Sequence, residues 1–202
     1  WAELTEGVRR AAQVLRGLGV RPGDRVAAYL PNIPEAVIAL LATASLGAIW
    51  SSCPPDFGAR GVLDRFQQIE PKVLIAVDSY TYGGKHYDRR DVLAELLRDL
   101  PTVEHTLLVA PEDAPSALPN ATLWRAALAG ADDAPLRFEQ VVFDHPLWIL
   151  YSSGTTGLPK PIVQGHGGIL LEHAKASSFH NDLRPGDRFF WYSSTGWMMW
   201  NY

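Results

Sequence analysis

A parallel α/β sheet with helices on its faces is the architecture this sequence predicts, and three observations predict it. Short apolar runs such as Arg25–Leu30 and Val73–Val77 have the length and β-branched content of buried strands. Segments with apolar residues at helical spacing alternate with them, and such alternation implies βαβ units. A strand–loop–strand unit follows, with Leu147–Leu150 and Ile162–Val163 flanking a loop rich in hydroxyls and glycine.

The elements follow in order. Leu4, Val8, Ala11, Ala12, Leu15 and Leu18 share one helical face over Glu3–Leu18, and Gly17 and Gly19 mark its end. Arg25–Leu30 is a buried strand; Pro31 and Pro34 then punctuate entry to a helix over Glu35–Leu46, closed by Gly47. Strand-like Ala48–Ser52 leads to a helix near Ala59–Ile69 and the strand Val73–Val77. Gly83 to Arg90 reads as an exposed, positively charged loop. A helix over Val92–Leu100 and a strand over Leu107–Ala110 continue the alternation. Residues 111–121 hold three prolines and little apolar content, so they read as an exposed connector. After the strand–loop–strand unit come a helix from Gly168 to about Phe179 and a strand over Arg188–Ser193.

Bulk properties exclude several classes. At 202 residues the chain has length enough for a sound core. A net charge of −4 argues against a nucleic-acid partner, and no basic cluster overrides it. The longest apolar run, Ala36–Ala44, falls short of the ~20 residues of a membrane span. Cys53 is the single cysteine, which rules out internal disulfides and thiolate metal clusters and fits a reducing, cytoplasmic compartment.

Tyr151 to Lys160 (Tyr-Ser-Ser-Gly-Thr-Thr-Gly-Leu-Pro-Lys) carries the chemistry. Gly154 and Gly157 let backbone N–H groups converge on one point. Ser152, Ser153, Thr155 and Thr156 add hydroxyl donors and Lys160 a positive charge, which is equipment for gripping a polyphosphate. The spacing differs from that of the kinase-type phosphate loop, which needs Gly, four residues, then Gly-Lys-Ser/Thr. A plain surface turn uses the same residue types.

This segment resembles the signature loop of the adenylate-forming enzymes, the superfamily of acyl-CoA synthetases, with its Ser/Thr/Gly-rich run closed by Gly-x-Pro-Lys. Gly165–His173, Ser194–Tyr202 and Ser51–Gly58 further resemble the branch of that family that activates acetoacetate. Gln164 departs from the pattern, since relatives often carry histidine there. The resemblance implies that residues 1–202 are a fragment of the large N-terminal, ATP- and acyl-binding domain, without the C-terminal lid and inactive alone. It also implies activation of a short carboxylate, most of all acetoacetate, to acyl-AMP and then acyl-CoA, using ATP, Mg²⁺ and coenzyme A. Acetyl- or propionyl-CoA synthesis is the alternative within the family, and a nucleotide-binding module without chemistry the alternative outside it.

Residue by residue, the resemblance assigns Ser152, Ser153, Gly154, Thr155, Thr156, Gly157 and Lys160 to the ATP phosphates. Among them Lys160 and Thr155 are the catalytic groups and Thr156 the Mg²⁺ contact. Lys85, Arg89 and Arg90 are matched to the coenzyme A nucleotide, although a solvated surface turn has the same composition. Trp197, Met198 and Met199 fall beside the acyl group, where bulky apolar residues equally suit a core. His166, between two glycines, lines the acyl pocket or bonds solvent and backbone; His173 reads as structural, and Cys53 as a small buried hydrophobe.

Overall fold

The computed structural model describes residues 1–110, 118, 120–152 and 157–202. Helix α1 (Ala2–Gly17) buries Val8, Ala11, Ala12 and Leu15, the stripe its spacing dictates. Strand β1 (Arg25–Tyr29) leads through Pro34 at the first helical turn into α2 (Pro34–Ser45). Gly47, at φ +64°, reverses the chain after that helix, a conformation few other residues adopt cheaply. Strand β2 (Ile49–Cys53), helix α3 (Ala59–Phe66) and strand β3 (Val73–Val77) complete two crossovers.

Two short strands, β4 (Ser79–Tyr82) and β5 (Lys85–Asp88), then pair antiparallel. The segment from Gly83 to Arg90 is therefore a hairpin arm followed by a helix start, and not a loop. Gly83 and Gly84 lie at φ +57° and +76°, the turn that matches strand twist in a tight hairpin. Helix α4 (Arg90–Asp99), strands β6 (His105–Val109) and β7 (Ala121–Leu123) and helix α5 (Trp124–Ala129) follow. Strands β8 (Pro146–Ser152) and β9 (Lys160–Gly165) flank the hydroxyl-rich loop. Helix α6 (His166–Lys175) ends in a π-helical turn over Ala176–His180, and α7 (Met198–Asn201) closes the chain.

Among the described residues one seven-stranded sheet has the order β7-β6-β3-β1-β2-β8-β9. Every neighbouring pair is parallel except β8 with β9. Side chains alternate across β1: Val26 and Ala28 join the core under α1 and α2, while Ala27 and Tyr29 join the core under α3 and α4. Trp50, fully buried, fills the first core, and Phe66, Leu93 and Leu96 fill the second.

The expected strand over Arg188–Ser193 does not form. No described strand pairs with it, and its residues Phe189, Phe190, Trp191 and Tyr192 stand exposed. A run of aromatics has the composition of a strand but needs a ladder partner to become one.

Candidate active site

β8 enters the hydroxyl-rich loop at the carboxyl edge of the sheet, the edge where α/β folds place ligands. Ser152 stands opposite Lys160 in the β8–β9 register, so the first and last residues of the loop face each other across one ladder rung. Lys160 is exposed and Ser152 half-buried. Ser153, Gly154, Thr155 and Thr156 lie outside the described residues; Gly157 is the first described residue after them.

Both flanks of the loop are tied to the end of α3. Tyr151 Oη donates to the Arg65 carbonyl at 2.8 Å, and Gln68 Nε2 donates to the Pro159 carbonyl at 2.9 Å. The Arg65 guanidinium lies over the Phe57 ring at 4.8 Å and the Tyr151 ring at 5.7 Å, joining β8 to the turn after β2.

A cleft of about 1110 Å³ opens at the carboxyl ends of β1, β2 and β3, lined by Asn32, Asp56, Tyr80, Tyr82, Arg125 and Tyr192 among others. The strand order reverses between β1 and β3, so this is the crevice where the two crossovers part to opposite sides. The β4–β5 hairpin forms one rim through Tyr80 and Tyr82. Of the cations matched to coenzyme A, Lys85 is exposed at the hairpin tip. Arg89 packs over the stacked rings of Tyr80 and Tyr87, at 5.3 and 5.8 Å, and donates to Tyr80 Oη at 3.2 Å. Its Nε is buried with no partner among the described residues. Arg90 is committed to Asp88 and holds that carboxyl down at about 2. Lys85 thus lies on the hairpin, Arg89 just after it and Arg90 at the start of α4, and the three have unequal freedom to meet an anion.

A second cavity, about 1070 Å³, lies between α6, the segment around Leu183–Trp191 and α7. Met199 lines it, together with Gln164, His173, Asn201 and Tyr202. Trp197 and Met198 are exposed, at 67% and 37%. Gln164 clasps two aromatics: Trp148 Nε1 donates to its Oε1 at 2.6 Å, and its Nε2 donates to Tyr202 Oη. The departure at this position therefore builds a cavity wall. His166 lies with His145 instead, ring centroids 5.9 Å apart, and burial first and His145 second push its imidazole below the usual value.

His173 and Asn201 are among the cavity residues that the sequence pattern does not mark as sites. A signal for His173 existed: it follows buried Ile169 by four positions on α6, which sets both on the inward face. Cys53 is fully buried, and loss of hydration pushes its thiol up to about 12.

Comparison with known proteins adds to this geometry. The family model described as AMP-binding enzyme matches residues 1–200. The chain is 48% identical to the acetoacetyl-coenzyme A synthetase of Rhizobium meliloti (strain 1021), over 100% of this chain and 31% of that protein. It is 44% identical to the acetoacetyl-CoA synthetase of Gallus gallus, over 99% of this chain and 31% of the relative. The solved structure of acetoacetyl-CoA synthetase from Streptomyces lividans superposes with a TM-score of 0.93 at 61% identity, covering 100% of this chain and 31% of that one. The chain thus spans about a third of the length of the relatives it matches.

Proposed function

This chain belongs to the AMP-binding enzyme family, and we propose that it is the N-terminal, ATP- and acyl-binding part of a ligase joining a short carboxylate, foremost acetoacetate, to coenzyme A. The observation that carries the reading is the Ser/Thr/Gly-rich connection from β8 to antiparallel β9, closed by Pro159-Lys160 at the carboxyl edge of the sheet. In the first half-reaction a carboxylate oxygen attacks the α-phosphorus of ATP; pyrophosphate leaves and acyl-AMP forms. In the second, the thiol of coenzyme A attacks the acyl carbonyl and AMP leaves, the thiol proton passing to solvent or base.

On this reading the loop residues Ser152, Ser153, Gly154, Thr155, Thr156 and Gly157 cradle the β- and γ-phosphates. Lys160 supplies the cation that stabilises the charge gathering on departing pyrophosphate. Hydroxyl oxygens such as that of Thr156 suit Mg²⁺, which arrives with ATP and neutralises phosphate charge. Lys85 at the hairpin tip, with Arg89 and Arg90 behind it, offers the phosphates of coenzyme A a positive rim. Met199, with Trp197 and Met198 beside it, forms the adjustable wall against the acyl group. No helix among the described residues is long and apolar enough to cross a membrane, and buried Cys53 suits a reducing cytoplasm.

The test is ATP–pyrophosphate exchange by the full-length ligase carrying this chain, with acetate, propionate, butyrate and acetoacetate. Exchange is expected with acetoacetate above the others, and none with residues 1–202 alone. Lys160→Ala should slow adenylate formation by roughly 10²–10³, the loss typical of one contact to developing charge. Conversion of preformed acyl-AMP by coenzyme A should fall far less; equal loss in both halves would show the lysine to be holding the fold.

A further inference from the structure

We infer that His173 and Asn201 form the polar end of the acyl pocket, with His173 Nε2–H donating to the keto oxygen of a 3-oxo carboxylate. The inference deepens the ligase reading above and rests on it. His173 Nε2 and Asn201 Oδ1 are both buried and both lack a hydrogen-bond partner among the described residues. Buried polar atoms are nearly always satisfied, so two orphans bordering one cavity mark a place where a ligand completes the network. Asn201 is only 6% exposed, and its Nδ2 makes just a long 3.4 Å contact with the Trp197 carbonyl. Its amide is therefore free to turn either end toward a ligand.

Other polar side chains of the cavity have partners. Gln164 holds Trp148 and Tyr202, and Glu172 holds Lys175. His166, the alternative partner for a keto oxygen, also has a buried Nε2 without a partner among the described residues, but it does not line this cavity: its ring lies tilted 5.9 Å from that of His145, and the Phe143 ring closes on neighbouring Gly167 so tightly that a Cβ there would sit 2.2 Å from it. His173 instead stands with Trp148 and Tyr202, its ring centroid 6.1 and 6.2 Å from theirs, on the wall shared with Met199.

Size cannot supply the selectivity. A cavity of about 1070 Å³ is far larger than a short keto acid, and apolar walls discriminate one methylene by only ~10–200-fold. A pocket holding buried polar groups rejects the analogue that leaves them unpaired by as much as ~10⁴–10⁵. Butyrate is such an analogue: it has the length of acetoacetate without the keto oxygen.

The experiment measures kcat/KM for acetoacetate and butyrate by pyrophosphate exchange in the full-length ligase, with melting curves to establish folding. His173→Leu should lower the acetoacetate-to-butyrate ratio by roughly 10–100-fold, the loss of one hydrogen bond to the ligand, and His173→Asn, which keeps a donor, should recover part of it. If His173→Leu fails to fold, Asn201→Leu reads the same ratio and should lower it as well. A wild-type ratio in the folded variants overturns this assignment and leaves the ligase reading standing. No exchange by the wild type with any short carboxylate overturns both.

Discussion

β3 and the segment from Arg188 to Ser193 are both runs of large apolar residues, yet they have opposite fates. All five residues of β3 are buried, and the strand is laddered on one edge to β1 and on the other to β6. In the later segment Phe190 is 81% and Tyr192 73% exposed. The difference lies in the neighbours. A strand in mid-sheet satisfies its backbone on both edges and buries both faces, whereas a run with no ladder leaves its rings in water. The chain is stitched down just beyond it: Ser52 Oγ donates to the Thr195 carbonyl at 2.6 Å, and Thr195 Oγ1 donates to the Leu30 carbonyl at 2.7 Å. Apolar composition therefore reports a demand for burial, and topology decides whether the demand is met within these residues.

The largest effect expected from this contrast is on stability. Trp50→Ala should cost about 3–5 kcal/mol in urea unfolding, as for other fully buried aromatics, while Trp191→Ala should stay within ~0.5 kcal/mol. A comparable loss at both sites would erase the distinction. Next comes selectivity at the exposed end. Exchanging Met198 and Met199 for Val and Thr in the full-length ligase should move the acetoacetate-to-acetate ratio of kcat/KM by roughly 10–200-fold, with the KM for ATP nearly unchanged. An unaltered ratio in a folded double variant returns both methionines to packing.

Thr195→Val removes one of the two bonds of the stitch and strands the buried Leu30 carbonyl. A loss of about 1–3 kcal/mol is expected, and amide exchange should accelerate after Pro185 but not in β3. The smallest effect belongs to the exposed Asp88–Arg90 pair. Asp88→Asn should leave the melting midpoint within experimental scatter. The sign of its pH dependence is still defined: Asp88 is held low at about 2, so its contribution is present at neutral pH. It fades only as pH falls below the ordinary carboxylate range toward that value.

Much of the fold is legible from residue pattern because each feature is local. The stripe on α1, Pro34 at the start of α2, Gly47 after its end and the β-branched run of β3 are signals within a few residues of their effect. Three features escape that pattern. The Gly83-Gly84 hairpin is local and carries an alternating pattern, but its charge makes it look solvated. Strand β7 is short and is defined by its pairing with β6. Arg188–Ser193 had the composition of a strand and lacked a partner. The cavity follows the same rule. Met199 was visible as part of a bulky apolar motif, whereas the buried atoms of His173 and Asn201 become informative only once tertiary packing shows them unpaired.

The two ties from the end of α3 to the flanks of the hydroxyl-rich loop have a consequence in polymer terms. Tyr151 is held at Arg65 and Pro159 at Gln68, so the ends of the intervening chain are fixed at a set span by a single helix end. The entropy of bringing those ends together is spent during folding. Any ligand held between those ends is spared that cost.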